Sequence, residues 1–427
     1  MDKKIIVYGE GKSNLSLTKF YDKNHLAYAF LHEEDEVEKL DLSNISYVVK
    51  APGIYPKTSK YHFFKDQKIK VVTYLEECFK FYPNLDYIVV TGTNGKTTTV
   101  KLIYEMLKSL NYDYGGNSDR ALFEVRLDEV KGVVIEASSF MLRDTTIVHP
   151  HIYIITNLSP HHLDYHESAQ DYLDSKLKAI KNMTKGDVII SLYGLDLIDK
   201  YNINKVDVFT FSSDDENANL YLKDKKVYYQ NKELLDLSFI DNTHLLEDIL
   251  MMIMVGIIYQ IDLKIMEMTI KNFIPLSHRF EIIKETSDYI FIDDAKSTSV
   301  HALLGALKET NILFPDFQTL LIMGGKDTLE EYRELLPFLK KVKTLYLYGE
   351  IKDKVYLLFK DVVRIKVFNN LEMVMSSVFK DLKSKDLVLF SPGASSLDQF
   401  SSFEVRGNIY QTMVRDFFNK EQKKEND

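Results

Sequence analysis

Eight residues, Thr91-Gly92-Thr93-Asn94-Gly95-Lys96-Thr97-Thr98, carry the strongest chemical signal in the chain. Glycines let a backbone curl until its N–H groups converge on phosphate oxygens. A lysine in such a loop reaches the outer phosphates, and the hydroxyl beside it can bind magnesium. Val90 stands where the strict GxxxxGK[ST] pattern has its first glycine. The apolar run before the loop and the helix-period run after it still give the strand–loop–helix setting that phosphate binding needs.

Other residues gain meaning beside that loop. Val133-Val134-Ile135 ends in Glu136, and an acid at a strand end next to a phosphate loop holds a metal or orients water. His161 and His162 lie in Thr156–Asp164; for each, a structural histidine and a metal or substrate ligand are both open readings. The spacing of Tyr172, Leu173, Leu177 and Ile180 predicts one helix over Ser168–Asn182, with Lys176 on its apolar face and Lys178 and Lys181 mostly off it. An inward lysine has its ammonium destabilised, and the neutral amine can act as a nucleophile or capture carbon dioxide. The alternative is a stem lying along the core with its head in water. Gly9-Glu10-Gly11-Lys12-Ser13-Asn14 has two of the three glycines of GxGxxG, which fits either an ordinary turn or a backbone cradle for a small nucleotide. In Asp293-Asp294-Ala295-Lys296-Ser297-Thr298, Lys296 and Thr298 could hold a carboxylate or lie in a solvated loop.

Three blocks of alternating strand and helix patterns must position these residues, the signature of α/β layers with parallel sheets. In the first, Met1 to about Leu85, strands are expected at Lys4–Tyr8, Leu26–Leu31, Tyr47–Lys50 and Ile69–Thr73. The second has strands Tyr87–Val90, Gly132–Ile135 and Ile152–Thr156, a helix Thr98–Leu110, and a close near Leu276–Glu281. The third has strands Tyr289–Ile292, Thr319–Met323, Thr344–Tyr348, Val363–Val367 and Leu387–Phe390. Open α/β sheets bind ligands at the C-terminal ends of their strands, where Asp293-Asp294, Gly324-Gly325, Gly349-Glu350 and Ser391-Pro392 fall.

The chain has 427 residues, 45% apolar and 27% charged, which excludes a disordered or collagen-like chain. Its 54 basic residues against 63 acidic ones leave a formal charge of −9, a poor footprint for nucleic acid. The single cysteine, Cys78, cannot form an internal disulfide, so a reducing, cytoplasmic location is expected. The run Ile249–Tyr259 is shorter than the ~20 residues of a membrane span and reads as a buried helix.

Together the motifs resemble the Mur ligase family, ATP-dependent amide ligases of peptidoglycan precursor synthesis. TGTNGKTTT at 91–99, EASSF at 136–140, ITN at 155–157, HLD at 162–164 and HRFE at 278–281 match in order, and KAPGI at 50–54 is close to the family's KSPGI. DDAKSTS at 293–299 and SPGASSLDQFSSFEVRGN at 391–408 are similar to the branch that adds D-glutamate. A ligase of the folylpolyglutamate type, which shares the fold, should lack the latter segment.

The resemblance implies three α/β domains: a Rossmann-like domain at 1–85 for the UDP substrate, a central P-loop ATPase-type domain at 86–280, and a C-terminal Rossmann-like domain at 281–427 for the incoming amino acid. It implies that Gly92, Thr93, Asn94, Gly95, Lys96, Thr97, Thr98, Arg279 and Asp294 bind ATP, with Lys96, His162 and Lys176 catalytic. Thr97, Glu136, His162 and a carbamylated Lys176 would hold magnesium, as two ions. Ser13, Asn14, Asn117 and His162 would contact UDP-N-acetylmuramoyl-L-alanine. Lys296, Thr298, Lys326, Ser396 and Phe403 would surround D-glutamate. A monomer without nucleic-acid or membrane partners is expected. Leu245 and Asp248 stand where the family has the two asparagines of its adenine-contacting GxHNxxN segment, and Lys326 follows Gly325 directly where the family's basic residue comes a little later. These losses motivate a second reading, a nucleotide-binding regulator without catalysis; Lys96, Glu136, His162 and Lys176 argue against it.

Overall fold

A computed structural model describes residues 3–117, 120–158, 165–195, 205–240, 245–274, 277–328 and 331–426. The chain divides into two compact units, Met1–Phe273 and Ile274–Asp427. The first holds two sheets and the second holds one.

The first sheet has four parallel strands: β1 (Lys4–Tyr8), β2 (Tyr28–Leu31), β3 (Ile45–Lys50) and β4 (Val71–Thr73), in the order β2-β1-β3-β4. The second has nine: β5 (Asp86–Thr91), β6 (Tyr112–Gly116), β7 (Gly132–Glu136), β8 (Ile152–Ile155), β9 (Val188–Leu192), β10 (Asp207–Ser212), β11 (Leu220–Lys223), β12 (Lys226–Tyr229) and β13 (Lys232–Asp236). Their order is β13-β12-β11-β10-β9-β8-β5-β7-β6, parallel except for the antiparallel meander β11-β12-β13.

Strand β5 reads as an unbroken apolar run because helices cover both faces of a central parallel strand; Ile88, Val89 and Val90 are completely buried. The helix Lys96–Leu107 follows it and turns Val100, Ile103, Met106 and Leu107 inward at three- and four-residue spacing. Helix Leu246–Ile258 packs on it and is buried throughout Ile249–Val255, as its apolar sequence predicts. Among the described residues no helix is long and apolar enough to cross a membrane.

The register places the chemistry. Strand β5 lies between β7 and β8, with Val90 opposite Glu136 and Thr91 opposite Ile155. The loop after β5 is therefore flanked by Glu136 on one side and by Thr156-Asn157 on the other. This is the topological switch point of an open α/β sheet, where ligands bind.

The second unit is built on β14 (Glu281–Glu285), β15 (Tyr289–Asp293), β16 (Gln318–Gly324), β17 (Val342–Tyr348), β18 (Ile365–Val367) and β19 (Asp386–Phe390). The order is β14-β15-β19-β16-β17-β18, with only β14 antiparallel. Adjacent strands β15, β19 and β16 end together, Asp293 opposite Phe390 and Phe390 opposite Ile322. Their loops form one cluster, joined by the first turns of the C-terminal helix Phe403–Asn426.

Ser168–Asn182 is two elements rather than one helix: an α-helix Ala169–Lys176 and a 3₁₀ segment Lys178–Asn182. The apolar spacing is shared by both, so periodicity alone does not show the break at Leu177.

Candidate active site

The loop after β5 is held by its neighbours on every side. Gly92 and Gly95 have φ of +142° and +81°, values that residues with a Cβ rarely adopt. A Cβ on Gly92 would lie 1.9 Å from Thr156 Oγ1, and one on Gly95 would lie 2.8 Å from Asp248 Oδ1. Thr93 N donates to Asn157 O at 2.9 Å, and Asn94 N donates to Asn157 Oδ1 at 2.9 Å. The Thr156 hydroxyl donates to Asn94 O at 2.5 Å, and the Thr93 and Tyr172 hydroxyls share a bond of 3.0 Å. The helix starts at Gly95 with no side-chain cap, the arrangement that leaves a helix N-terminus for anions. Thr97 and Thr98 lie in its first turn, Thr98 buried.

Two amines converge on one carbonyl. Lys96 Nζ donates to Gly92 O at 3.1 Å and to Thr93 O at 2.8 Å. Lys176 Nζ also donates to Gly92 O, and lies 4.8 Å from the centre of the Tyr172 ring. Lys176 is 2% exposed, so of the two readings open from sequence the structure takes the inward one. Burial first, and the charge of Lys96 second, push its amine well below the ordinary lysine range; Glu136 opposes them.

Glu136 ends β7 and is buried. Asn117 Nδ2 donates to its Oε1 at 3.2 Å, and Asn117 N donates to its backbone carbonyl at 2.8 Å. The other carboxylate oxygen, Oε2, is buried with no hydrogen-bond partner. An orphaned anionic oxygen beside a phosphate loop fits a hard cation such as magnesium. His162 lies outside the described residues. The nearby His166 is not an open ligand: its ring nitrogens engage Asp171 at 3.0 Å and Ser139 Oγ at 2.9 Å.

In the first sheet Asn14 turns inward. Its amide donates to Tyr8 O, Gly9 O and Val49 O at 3.1, 2.9 and 3.4 Å and so braces the ends of β1 and β3. Ser13 lies in the first turn of the helix Lys12–Lys23 that follows β1 and is half-buried. Sequence reading missed Lys50, which ends β3 fully buried. Its amine lies 3.5 Å from Asp144 Oδ2 and donates to Ile54 O at 3.0 Å and to the Tyr165 hydroxyl at 2.9 Å. Burial pulls that amine down to about 8, against the attraction of Asp144. The signal was a lysine closing an apolar strand. Asp248, one of the two positions without the family's asparagine, accepts from Thr99 Oγ1 at 2.6 Å and supports the phosphate-loop helix from below.

In the second unit, Asp294 is buried and accepts from Ser391 Oγ at 2.7 Å and from Phe280 N at 3.2 Å. Burial pushes its carboxyl up to about 7, although both bonds and Arg279 favour the anion. Arg279 sits between two non-glycine residues with positive φ, His278 at +64° and Phe280 at +46°. That turn is fixed by the His278 ring on Asp293 at 2.5 Å and by Lys296 N donating to His278 O at 3.0 Å. Lys296 Nζ lies 5.5 Å from the centre of the Phe403 ring. Thr298 is half-buried, Ser396 buried and Lys326 exposed. The five residues expected around the amino acid thus lie on the loops after β15, β16 and β19 and on the start of the C-terminal helix.

Comparison with known proteins agrees with this geometry. Residues 90–252 match the Mur ligase middle domain. A UDP-N-acetylmuramoylalanine–D-glutamate ligase of Hydrogenobaculum sp. is 31% identical over 97% of this chain and 99% of its own length. The enzyme of that name from Aquifex aeolicus is 30% identical, with the same coverage of both chains. Among solved structures, the MurF ligase of Thermotoga maritima in complex with ADP superposes with a TM-score of 0.63 at 18% identity, covering 99% of this chain and 96% of that one. E. coli FolC in complex with DHPP and ADP gives 0.61 at 14% identity, covering 80% and 92%; at these identities the likeness is one of fold. The chain belongs to the Mur ligase family. Both of these relatives, from Hydrogenobaculum sp. and Aquifex aeolicus, carry the name of the D-glutamate-adding enzyme.

Proposed function

We propose that the chain is an ATP-dependent ligase that joins D-glutamate to UDP-N-acetylmuramoyl-L-alanine in peptidoglycan precursor synthesis. The observation that carries this reading is the pair of lysine amines meeting at Gly92 O beside a buried carboxylate with an unpaired oxygen. Such a centre suits transfer of a phosphoryl group between two anions, ATP and a carboxylate, whose mutual repulsion must be neutralised.

A carboxylate is a poor electrophile, and its oxygen is a poor leaving group. Transfer of the terminal phosphate of ATP to the substrate carboxylate gives an acyl phosphate and ADP. The amine of D-glutamate then attacks the acyl carbon; the C–N bond forms, phosphate leaves and the amine gives up a proton. The loop Gly92 to Thr98 cradles the ATP phosphates and Lys96 follows the phosphate being transferred. Lys176, whose ammonium burial disfavours, captures carbon dioxide through its neutral amine and becomes an anionic carbamate, releasing a proton. Thr97, Glu136, His162 and that carbamate are the groups to hold magnesium, as two ions, which would screen the crowded phosphate and carboxylate charges. Ser13, Asn14, Asn117 and His162 face the UDP substrate; Arg279 and Asp294 serve the nucleotide. Lys296, Thr298, Lys326, Ser396 and Phe403 receive D-glutamate. The domains run over 1–85, 86–280 and 281–427, in a cytoplasmic monomer.

The test is phosphate release from ATP. Release should need UDP-N-acetylmuramoyl-L-alanine and D-glutamate together. Turnover with neither, or with a folate substrate and glutamate instead, would overturn the reading.

A further inference from the structure

Arg406 is the largest fully buried side chain among the described residues, and no carboxylate hydrogen-bonds it. It projects from the first turns of the C-terminal helix, three residues after Phe403. One nitrogen, Nη1, donates to Gly324 O at 3.2 Å and Ala394 O at 3.1 Å; the other, Nη2, donates to Ala295 O at 2.9 Å and Ala394 O at 3.1 Å. These carbonyls belong to the last residue of β16, where its loop begins, and to the loops after β19 and β15. The guanidinium thus ties together three separate loops and its own helix. Those loops also touch one another directly: Lys326 N donates to Ser395 O at 2.8 Å, and Gly393 N donates to Ser297 O at 2.9 Å.

We infer that Arg406 is the positioning residue of the amino-acid site, a planar fork that sets the spacing of the three loops and of Phe403 around a substrate carrying two carboxylates. This rests on the proposed function for the identity of the amino acid. Each of the five residues assigned to D-glutamate lies on a segment that Arg406 holds. The shape matters because one flat group with two nitrogens spans carbonyls of three loops, which a lysine ammonium on a flexible stem cannot do. The charge matters too. A buried cation bonded only to carbonyl dipoles leaves a net positive field at the loop cluster, and D-glutamate brings two negative charges to it. Asp398 and Asp293 are the carboxylates whose charges reach Arg406, neither with a hydrogen bond to it.

The test uses Arg406→Lys, which keeps the charge and loses the fork, in the full chain with all three substrates. The Michaelis constant for D-glutamate should rise roughly ten- to hundred-fold, as an ~1 Å misplacement of a binding group does, with that for ATP within about twofold. A second variant acts on the same contact from the backbone. Gly325 has φ of +139°, and a Cβ there would lie 2.1 Å from Ser395 O and 3.1 Å from Arg406 Nη1. Gly325→Ala should show the same selective loss, and it serves where Arg406→Lys does not fold. Wild-type constants for D-glutamate, or an equal rise for ATP and D-glutamate in whichever variant folds, would overturn the inference. Failure of the underlying reading is separate, because it appears in the unaltered protein as no dependence on D-glutamate.

Discussion

Asp294 should be a residue at which stability and function pull in opposite directions. Its carboxyl is raised from 3.8 to about 7 by burial. A folded-state value above the unfolded one means that the folded chain binds more protons between pH 3.8 and 7. Unfolding free energy therefore falls as pH rises through that window, and above pH 7 the whole cost is present. At ~1.4 kcal/mol per pH unit that cost is at most about 4 kcal/mol. Asp294→Asn removes it without orphaning a neighbour: the amide oxygen can still accept from Phe280 N, and the Ser391 hydroxyl can turn to accept from the amide. The repulsion from adjacent Asp293 also goes. The variant should be more stable than the parent by up to about 4 kcal/mol at pH 8, with little gain near pH 4. Hydrogen exchange of the β15 and β19 backbone reads this locally, since Ile292 and Leu389 pair there in the centre of the sheet. If Asp294 serves the nucleotide, the same variant should raise the Michaelis constant for ATP at every pH. A loss of stability at pH 8, or a gain that does not shrink toward pH 4, would refute the reasoning.

Other perturbations address the first unit. Lys96→Ala should lower turnover at least ~10²-fold by removing a preorganised charge from the transferring phosphate, and near-normal phosphate release would contradict that role. Lys176→Ala should abolish activity, and short carboxylic acids should restore part of it by filling the anionic position; full activity in the variant would show the carbamate assignment wrong. The control is Lys181→Ala, expected to be silent, since Lys181 is exposed whereas Lys178 donates to Arg143 O from a half-buried position. Asp144→Asn should cost roughly 3 kcal/mol by leaving the Lys50 ammonium buried and unpaired, measured as a shift in urea midpoint; an unchanged midpoint would mean that Ile54 O and Tyr165 suffice.

The phosphate loop and Glu136 are legible in sequence because their chemistry lies in residue types at short spacing. Lys176 is half legible: periodicity puts it on the apolar face, but an inward head and a snorkelling one share that pattern. The meander β11-β12-β13 leaves a weak trace, since Leu220–Asp236 alternates over short segments rich in charge. The break after Lys176 leaves none.

What stays hidden has a common physical cause. Three buried basic side chains among the described residues, Lys50, Lys176 and Arg406, bond to backbone carbonyls: Ile54 O, Gly92 O, and Gly324, Ala394 and Ala295 O. A carbonyl is the same group at every position, so it marks no residue type and no spacing. Of the three, only Lys50 has a carboxylate partner within ion-pair distance, Asp144, and it comes from another part of the first unit. Carbonyls satisfy the donors of a buried cation but leave its charge largely uncompensated, unlike a carboxylate. Arg406 lies where, under the proposed reaction, a dicarboxylic amino acid arrives; at Lys176 the missing ion pair and the burial instead disfavour the ammonium and leave the amine open to carbon dioxide. Lys50, with its carboxylate, holds β3 to the segment after helix Ser139–Arg143 within one unit. The partner of a buried cation thus separates two uses of charge in this fold, the Lys50 ion pair where charge joins elements and the Arg406 carbonyls where charge is kept for substrate.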